Sequence, residues 1–104
     1  MIIDPRIIIK PGVVLEGVDP CMIACASDVA DLYDEYGADC WITSGREAKH
    51  SGVKSKHRHG KALDFRKWTI PTAKRNKFTQ ELRKRLGDKY KVIHEKTHFH
   101  VQKQ

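Results

Sequence analysis

The stretch KSKHRHGKALDFR, Lys54 to Arg66, puts two histidines, a glycine and an aspartate inside one basic run in the middle of a short chain. Its second half sets the fold. KALDFR, Lys61 to Arg66, alternates apolar and polar residues as a strand does: Ala62, Asp64 and Arg66 share one face, and Leu63 and Phe65 share the other. Upstream, Gly45 to Lys56 carries glycine, serine and charge without periodicity, which marks a loop. CWITS, Cys40 to Ser44, is rich in β-forming residues and predicts a second strand just before that loop.

Further out, two helices and three more strands follow from the same kind of signal. Asp19-Pro20 reads as an N-cap followed by proline at the first helical position. Ile23, Ala26, Val29, Ala30, Leu32, Tyr33 and Tyr36 then recur at helical spacing until Gly37. That helix predicts the backbone of the core. Before it, the β-branched run IIIK, ended by Pro11-Gly12, predicts a short strand. Pro71 opens a second helix in which Phe78, Leu82 and Leu86 fall at i, i+4 and i+8, and Gly87 closes it. YKVIH and THFHVQ complete the chain as two more strands. The order strand, helix, strand, strand, helix, strand, strand predicts an α+β domain with a small, mostly antiparallel sheet and two helices.

A chain of 104 residues suits one domain, residues 1–104, with a single modest core. No run approaches eighteen apolar residues, and MIIDPRIIIK lacks the basic lead and apolar core of a secretion signal. The expectation is therefore cytoplasmic synthesis without membrane insertion. Twenty Lys and Arg against thirteen Asp and Glu give a net charge of +7, which favours anionic partners such as nucleic acid, cell-wall polymer or acidic lipid without choosing among them. Cys21, Cys25 and Cys40 read as small buried hydrophobes, since they form neither a disulfide framework nor a C-x-x-C zinc knuckle.

On the terminal strand His98 and His100 project from one face. With His57 and Asp64 they supply the nitrogen and oxygen ligands a zinc ion prefers, and three protein ligands would leave a fourth position open for water. An open position is what a catalytic metal needs. Glu95, three residues before His98, is the candidate base. His50, His59 and His94 read as ordinary histidines outside the metal set.

The pattern Ser55-x-His57-x-x-Gly60-x-Ala62-x-Asp64 resembles the signature of the zinc peptidases that include D-alanyl-D-alanine carboxypeptidases, vancomycin-resistance D,D-dipeptidases and phage L-alanyl-D-glutamate endolysins. Hedgehog signalling domains share that fold. The spacing has a physical sense: Gly60 permits the turn onto the strand, and small Ala62 leaves space on the face that carries Asp64. ITSGR, Ile42 to Arg46, is similar to the family's strand and arginine, and the closing EKTHFHV to its last ligand motif. The likeness spans roughly residues 5 to 103 and is closest to small phage-type members.

The resemblance implies a Zn2+ peptidase acting on a bond involving a D-amino acid in a peptidoglycan stem peptide, as a monomer that reaches the wall after release or as a virion component. It makes His57 and Asp64 ligands, gives Arg46 the oxyanion or the substrate, and gives Ser55 a supporting hydrogen bond near the substrate. His100 would be the third ligand with His98 assisting, or His98 the ligand with Glu95 as base in an E-x-x-H arrangement. Three residues before His100, where some members carry the acidic base, stands Thr97, which also leaves open a zinc domain that binds the wall without cutting it. A nucleic-acid reading draws on the charge and on the cationic residues Lys74, Arg75, Lys77, Arg83, Lys84 and Arg85. Against it, Trp41, Phe65, Trp68, Tyr90 and Phe99 fall largely at core or strand positions and do not interleave with that cluster as a stacking platform would.

Overall fold

Asp19 caps the first helix as its type predicts, its carboxylate accepting from the backbone N–H of Cys21 at 3.0 Å while Pro20 takes the first helical position. The structure, a computed structural model, describes residues 3–48 and 55–104; His50, Lys54 and the middle of the loop before His57 lie outside the described residues. In chain order the elements are β1 (Ile7–Ile9), α1 (Pro20–Glu35), β2 (Cys40–Ser44), β3 (Ala62–Arg66), a short 3-10 turn (Thr72–Lys74), α2 (Arg75–Leu86), β4 (Tyr90–His94) and β5 (His98–Lys103). The second helix thus begins with a tight turn after Pro71 and becomes α-helical only at Arg75.

The five strands form one sheet in the order β1-β2-β3-β5-β4. The expectation of a mostly antiparallel sheet is corrected to a mixed one. β1 runs parallel to β2, and the other neighbours pair antiparallel. The reason is the connection: the sixteen residues of α1 carry the chain back to the end of the sheet where it started, and a crossover of that length delivers a parallel neighbour. Hairpin-length links allow no such return.

Both helices cover one face of the sheet. Met22, Ala26, Val29, Leu32 and Tyr33 of α1 and Phe78 and Leu82 of α2 are fully buried against Ile42, Leu63, Phe65, Phe99 and Val101. Phe78 stacks on Phe99 at 4.9 Å between ring centres and takes Tyr33 and Tyr36 edge-on. The Tyr33 hydroxyl donates to the carbonyl of Arg66, which satisfies a buried polar tip and pins α1 to the end of β3. Ile23 lies only half-buried at the margin of this core.

Cys25 and Cys40 are buried, and burial pushes both thiols up to about 12, so they pack as apolar groups. Cys21 is only half-buried. Among the described residues no helix is long and apolar enough to cross a membrane.

Replacing Phe78 by alanine should lower the unfolding free energy by about 3–5 kcal/mol in denaturant titrations, because its ring touches both helices and the sheet. A loss under about 1 kcal/mol would mean that this aromatic cluster does not organise the core.

Candidate metal centre

The alternation that sends Leu63 and Phe65 inward sends Asp64 to the face without helices, and the register of the sheet decides what it meets there. Asp64 lies directly opposite His100 on β5 and opposite Ser44 on β2, while Arg66 lies opposite His98. Between Ile42 and Ser44 the pairing slips by one residue. That bulge brings both Thr43 and Ser44 to the rim of the same cleft.

His57 arrives from the loop. Gly60 adopts φ 73°, open to glycine at little cost, and a Cβ at that position would collide with the Gly17 carbonyl. The close approach is secured by a hydrogen bond from Asp19 N–H to Gly60 O at 2.8 Å, so the start of α1 holds the turn that aims His57. Arg46 ties the same region together. Its Nε donates to the carbonyl of Arg58 at 3.1 Å and its Nη1 to that of Glu16 at 3.4 Å.

The carboxylate of Asp64, 2 % exposed, sits among three imidazoles. His57 Nε2 is 3.1 Å and His100 Nδ1 2.9 Å from Oδ1, and His98 Nε2 is 3.4 Å from Oδ2. Burial acts to raise the Asp64 carboxyl, yet the hydrogen bonds from His100 and His57 outweigh it and hold the group well below the usual carboxylate range. For His100 burial acts to lower the imidazole, and Asp64 together with Gln102 overcomes it, leaving His100 above its ordinary value.

The other ring nitrogens are held as well. His57 Nδ1 lies 3.1 Å from the Gly45 carbonyl, which can only accept, so that nitrogen carries the hydrogen. His100 Nε2 donates to Gln102 Oε1 at 2.8 Å. Each ring therefore turns its remaining nitrogen on one carboxylate oxygen. Such a nitrogen meets a carboxylate either as N–H, which makes the ring cationic, or as a lone pair facing a shared cation. The site is built to hold positive charge.

The donor set suits a divalent metal ion. Ligand atoms of His57, Asp64 and His100 all lie within 4.8 Å of one another, and tetrahedral zinc places its ligands about 3.3 Å apart. Glu95, His98 and His100 form a second grouping of the same span. Glu95 reaches it because the β4–β5 hairpin sets its backbone N–H on His98 O at 2.9 Å, while Lys67 Nζ clasps the Glu95 carbonyl at 2.9 Å. Thr97, where an acid was sought, hydrogen-bonds His98 Nδ1 at 2.9 Å and so turns Nε2 of that ring toward Asp64.

Five residues singled out in the sequence, His57, Asp64, Glu95, His98 and His100, come together in this way. Ser55 is buried in the turn, its carbonyl accepting from His59 N–H at 3.3 Å. Arg46 engages backbone carbonyls of its own loops. Sequence reading overlooked Lys10, Thr43 and Ser44 as part of the cleft beside Asp64, and it put Trp68 among core or strand aromatics although that ring is 70 % exposed. Arg66 could have been found, since it follows Asp64 on the same face by strand alternation.

Comparison of the chain with protein-family models, with curated proteins and with solved structures returned no match.

Two outcomes test the charge balance of the site. Asp64 is depressed on folding, so the stability it supplies is present above about pH 4 and lost as pH falls below that. His100 is raised, so its share is present below about pH 6.5 and lost as pH rises through its folded value. Chemical denaturation of the metal-free protein should show both slopes, with the acid slope reduced in Asp64→Asn and the other in His100→Gln. Identical pH profiles for these variants and the parent would contradict the pairing.

Proposed function

We propose that the protein is a zinc-dependent peptidase that hydrolyses a peptide bond involving a D-amino acid in bacterial peptidoglycan. The observation that carries this reading is the convergence of His57, Asp64 and His100 within 4.8 Å at the edge of an open cleft, with the carboxylate of Glu95 within the same span of His98 and His100. The resemblance of Ser55-x-His57-x-x-Gly60-x-Ala62-x-Asp64 and the closing EKTHFHV to the D-alanyl-D-alanine carboxypeptidase and L-alanyl-D-glutamate endolysin family supplies the reaction class and the substrate.

His57, Asp64 and His100 would hold the zinc ion. When bound, zinc supplies Lewis-acid polarisation of the scissile carbonyl and lowers the pKa of water beside it. Glu95, exposed on its hairpin, accepts the proton of the attacking water and returns it to the departing amine. His98, turned by Thr97 so that Nε2 lies toward Asp64 on the lining of the cleft, would donate to the oxyanion. Arg46 acts as a positioning residue, joining the Arg58 and Glu16 backbones around the turn that carries His57. Gly45 O and Gln102 orient the two ligand imidazoles. The cleft is open and holds about 380 Å³, which suits a stretch of wall peptide better than an enclosed free dipeptide.

The cationic helix favours nucleic acid less than its composition does. Arg75 and Arg83 donate to the carbonyls of Ile70 and Val92, Arg85 pairs with Glu35, and Lys77 lies 3.9 Å from Glu81. Arg75, Arg83 and Arg85 thereby tie α2 to its surroundings, while Lys77 and Glu81 face each other one turn apart on the helix itself.

Digestion of purified peptidoglycan followed by mass analysis of the fragments should reveal newly freed amines at one type of bond. A chelator should stop the release, and Glu95→Ala should slow it by on the order of 100-fold or more. Zinc analysis should find one equivalent per chain, bound at least about 100-fold more weakly in His57→Ala and His100→Ala. Bound zinc without fragment release under any metal would replace the peptidase by a wall-binding zinc domain.

A further inference from the structure

Next to the candidate metal centre, a guanidinium is held between two indoles and has no acidic partner among the described residues. Arg66 Cζ lies 4.1 Å from the ring centre of Trp41 and 4.8 Å from that of Trp68. The stacking fixes the plane of the fork and leaves its edge, with five N–H donors, available. Among the described residues no carboxylate pairs with that edge, and residues 49–54, KHSGVK, contain no acidic side chain. The nearest acid along the strand, Asp64, has both oxygens turned to imidazoles.

Lys10 stands on the same cleft with Arg66, Trp68, Thr43, Ser44 and His98, and its ammonium likewise has no acidic partner among the described residues. Trp68 is 70 % exposed, an unusual state for so large an apolar side chain, and here it roofs the guanidinium. Two cations lining one cleft, one of them pre-oriented by stacking, suit a planar carboxylate, which the guanidinium fork can meet with two parallel N–H bonds.

We infer that Arg66 and Lys10 form a carboxylate-binding subsite that anchors the free C-terminal end of the substrate beside the metal centre. The inference rests on the peptidase reading for the substrate, and it names the end of the substrate that the site recognises. Arg66 follows Asp64 by two residues on one face of β3, about 7 Å along the strand. Successive Cα atoms in a peptide are 3.8 Å apart, so the anchored carboxylate belongs to a residue one or two positions beyond the scissile bond. That geometry selects cleavage near a free C-terminus over cleavage deep inside a cross-linked strand.

The chain carries its own reporter, since its two tryptophans, Trp41 and Trp68, are the residues that flank Arg66. Tryptophan emission is titrated with N-acetyl-D-alanyl-D-alanine and with its C-terminal amide, using Glu95→Ala to prevent turnover. The acid should shift the emission saturably and bind at least about tenfold tighter than the amide, as expected for a charge-assisted pair. Arg66→Gln should erase that preference and Lys10→Gln should reduce it, with circular dichroism confirming that each variant is folded; Arg66→Lys keeps the charge without the fork and should recover only part of it.

Equal binding of acid and amide, or a preference unchanged in folded Arg66→Gln, overturns the subsite even if the parent protein cuts peptidoglycan. An emission change given equally by inorganic phosphate overturns it in favour of a general anion site. An acid-over-amide preference in a protein that releases no peptidoglycan fragments retains the subsite and removes the peptidase.

Discussion

One buried carboxylate organises the functional face of this protein. Asp64 is almost wholly removed from water, and an ionised group in that position is costly unless it is paired and hydrogen-bonded. Its partners come from separate parts of the chain: His57 from the loop before β3, and His98 and His100 from the last strand. Desolvation and pairing act against each other, and pairing wins, because Asp64 is held below its ordinary range despite its burial. The short contacts from the imidazoles to that carboxylate suit positive charge between them, as protons or as a metal ion.

The rest of the fold can be understood as support for that arrangement. Helices on one face of the sheet leave the other face open for the cleft, and the antiparallel register of β3 and β5 sets Asp64 against His100. The α1 N-terminus fixes the Gly60 turn, and Arg46 and the Gly45 carbonyl hold the loop and the His57 ring. These outer contacts matter because a ligand imidazole needs both a chosen tautomer and a chosen direction. On the far side, the Tyr33 hydroxyl on Arg66 O links the core to the strand end that carries the stacked guanidinium. Core packing and site geometry are coupled through β3, which contributes Leu63 and Phe65 to one and Asp64 and Arg66 to the other.

The cleft combines chemistries that are usually harder to place together. A carboxylate among imidazoles, ready for a cation, sits two residues along β3 from an arginine ready for an anion, with Lys10 lining the same cleft, without the two cancelling. They remain distinct because Asp64 is turned into the imidazoles and Arg66 is clamped by indole rings, so neither side chain is free to swing across and pair. Arg46, expected at the oxyanion or the substrate, donates through Nε and Nη1 to backbone carbonyls, and Arg66 and Lys10 are cationic groups that line the cleft.

Periodicity by itself determined the element order, the helix start at Asp19-Pro20, the two faces of KALDFR and the pairing of His98 with His100 on one side of a strand, because each depends on neighbours a few residues away. Residue chemistry likewise marked His57, Asp64, His98 and His100 as donors. The parallel pairing of β1 with β2, the bulge at Thr43, the second contacts of the imidazoles and the exposure of Trp68 were decided only in three dimensions. A local pattern states which way a side chain points from its own strand. What stands there to meet it depends on strand register and crossover path, which are set by the packing of segments distant in sequence.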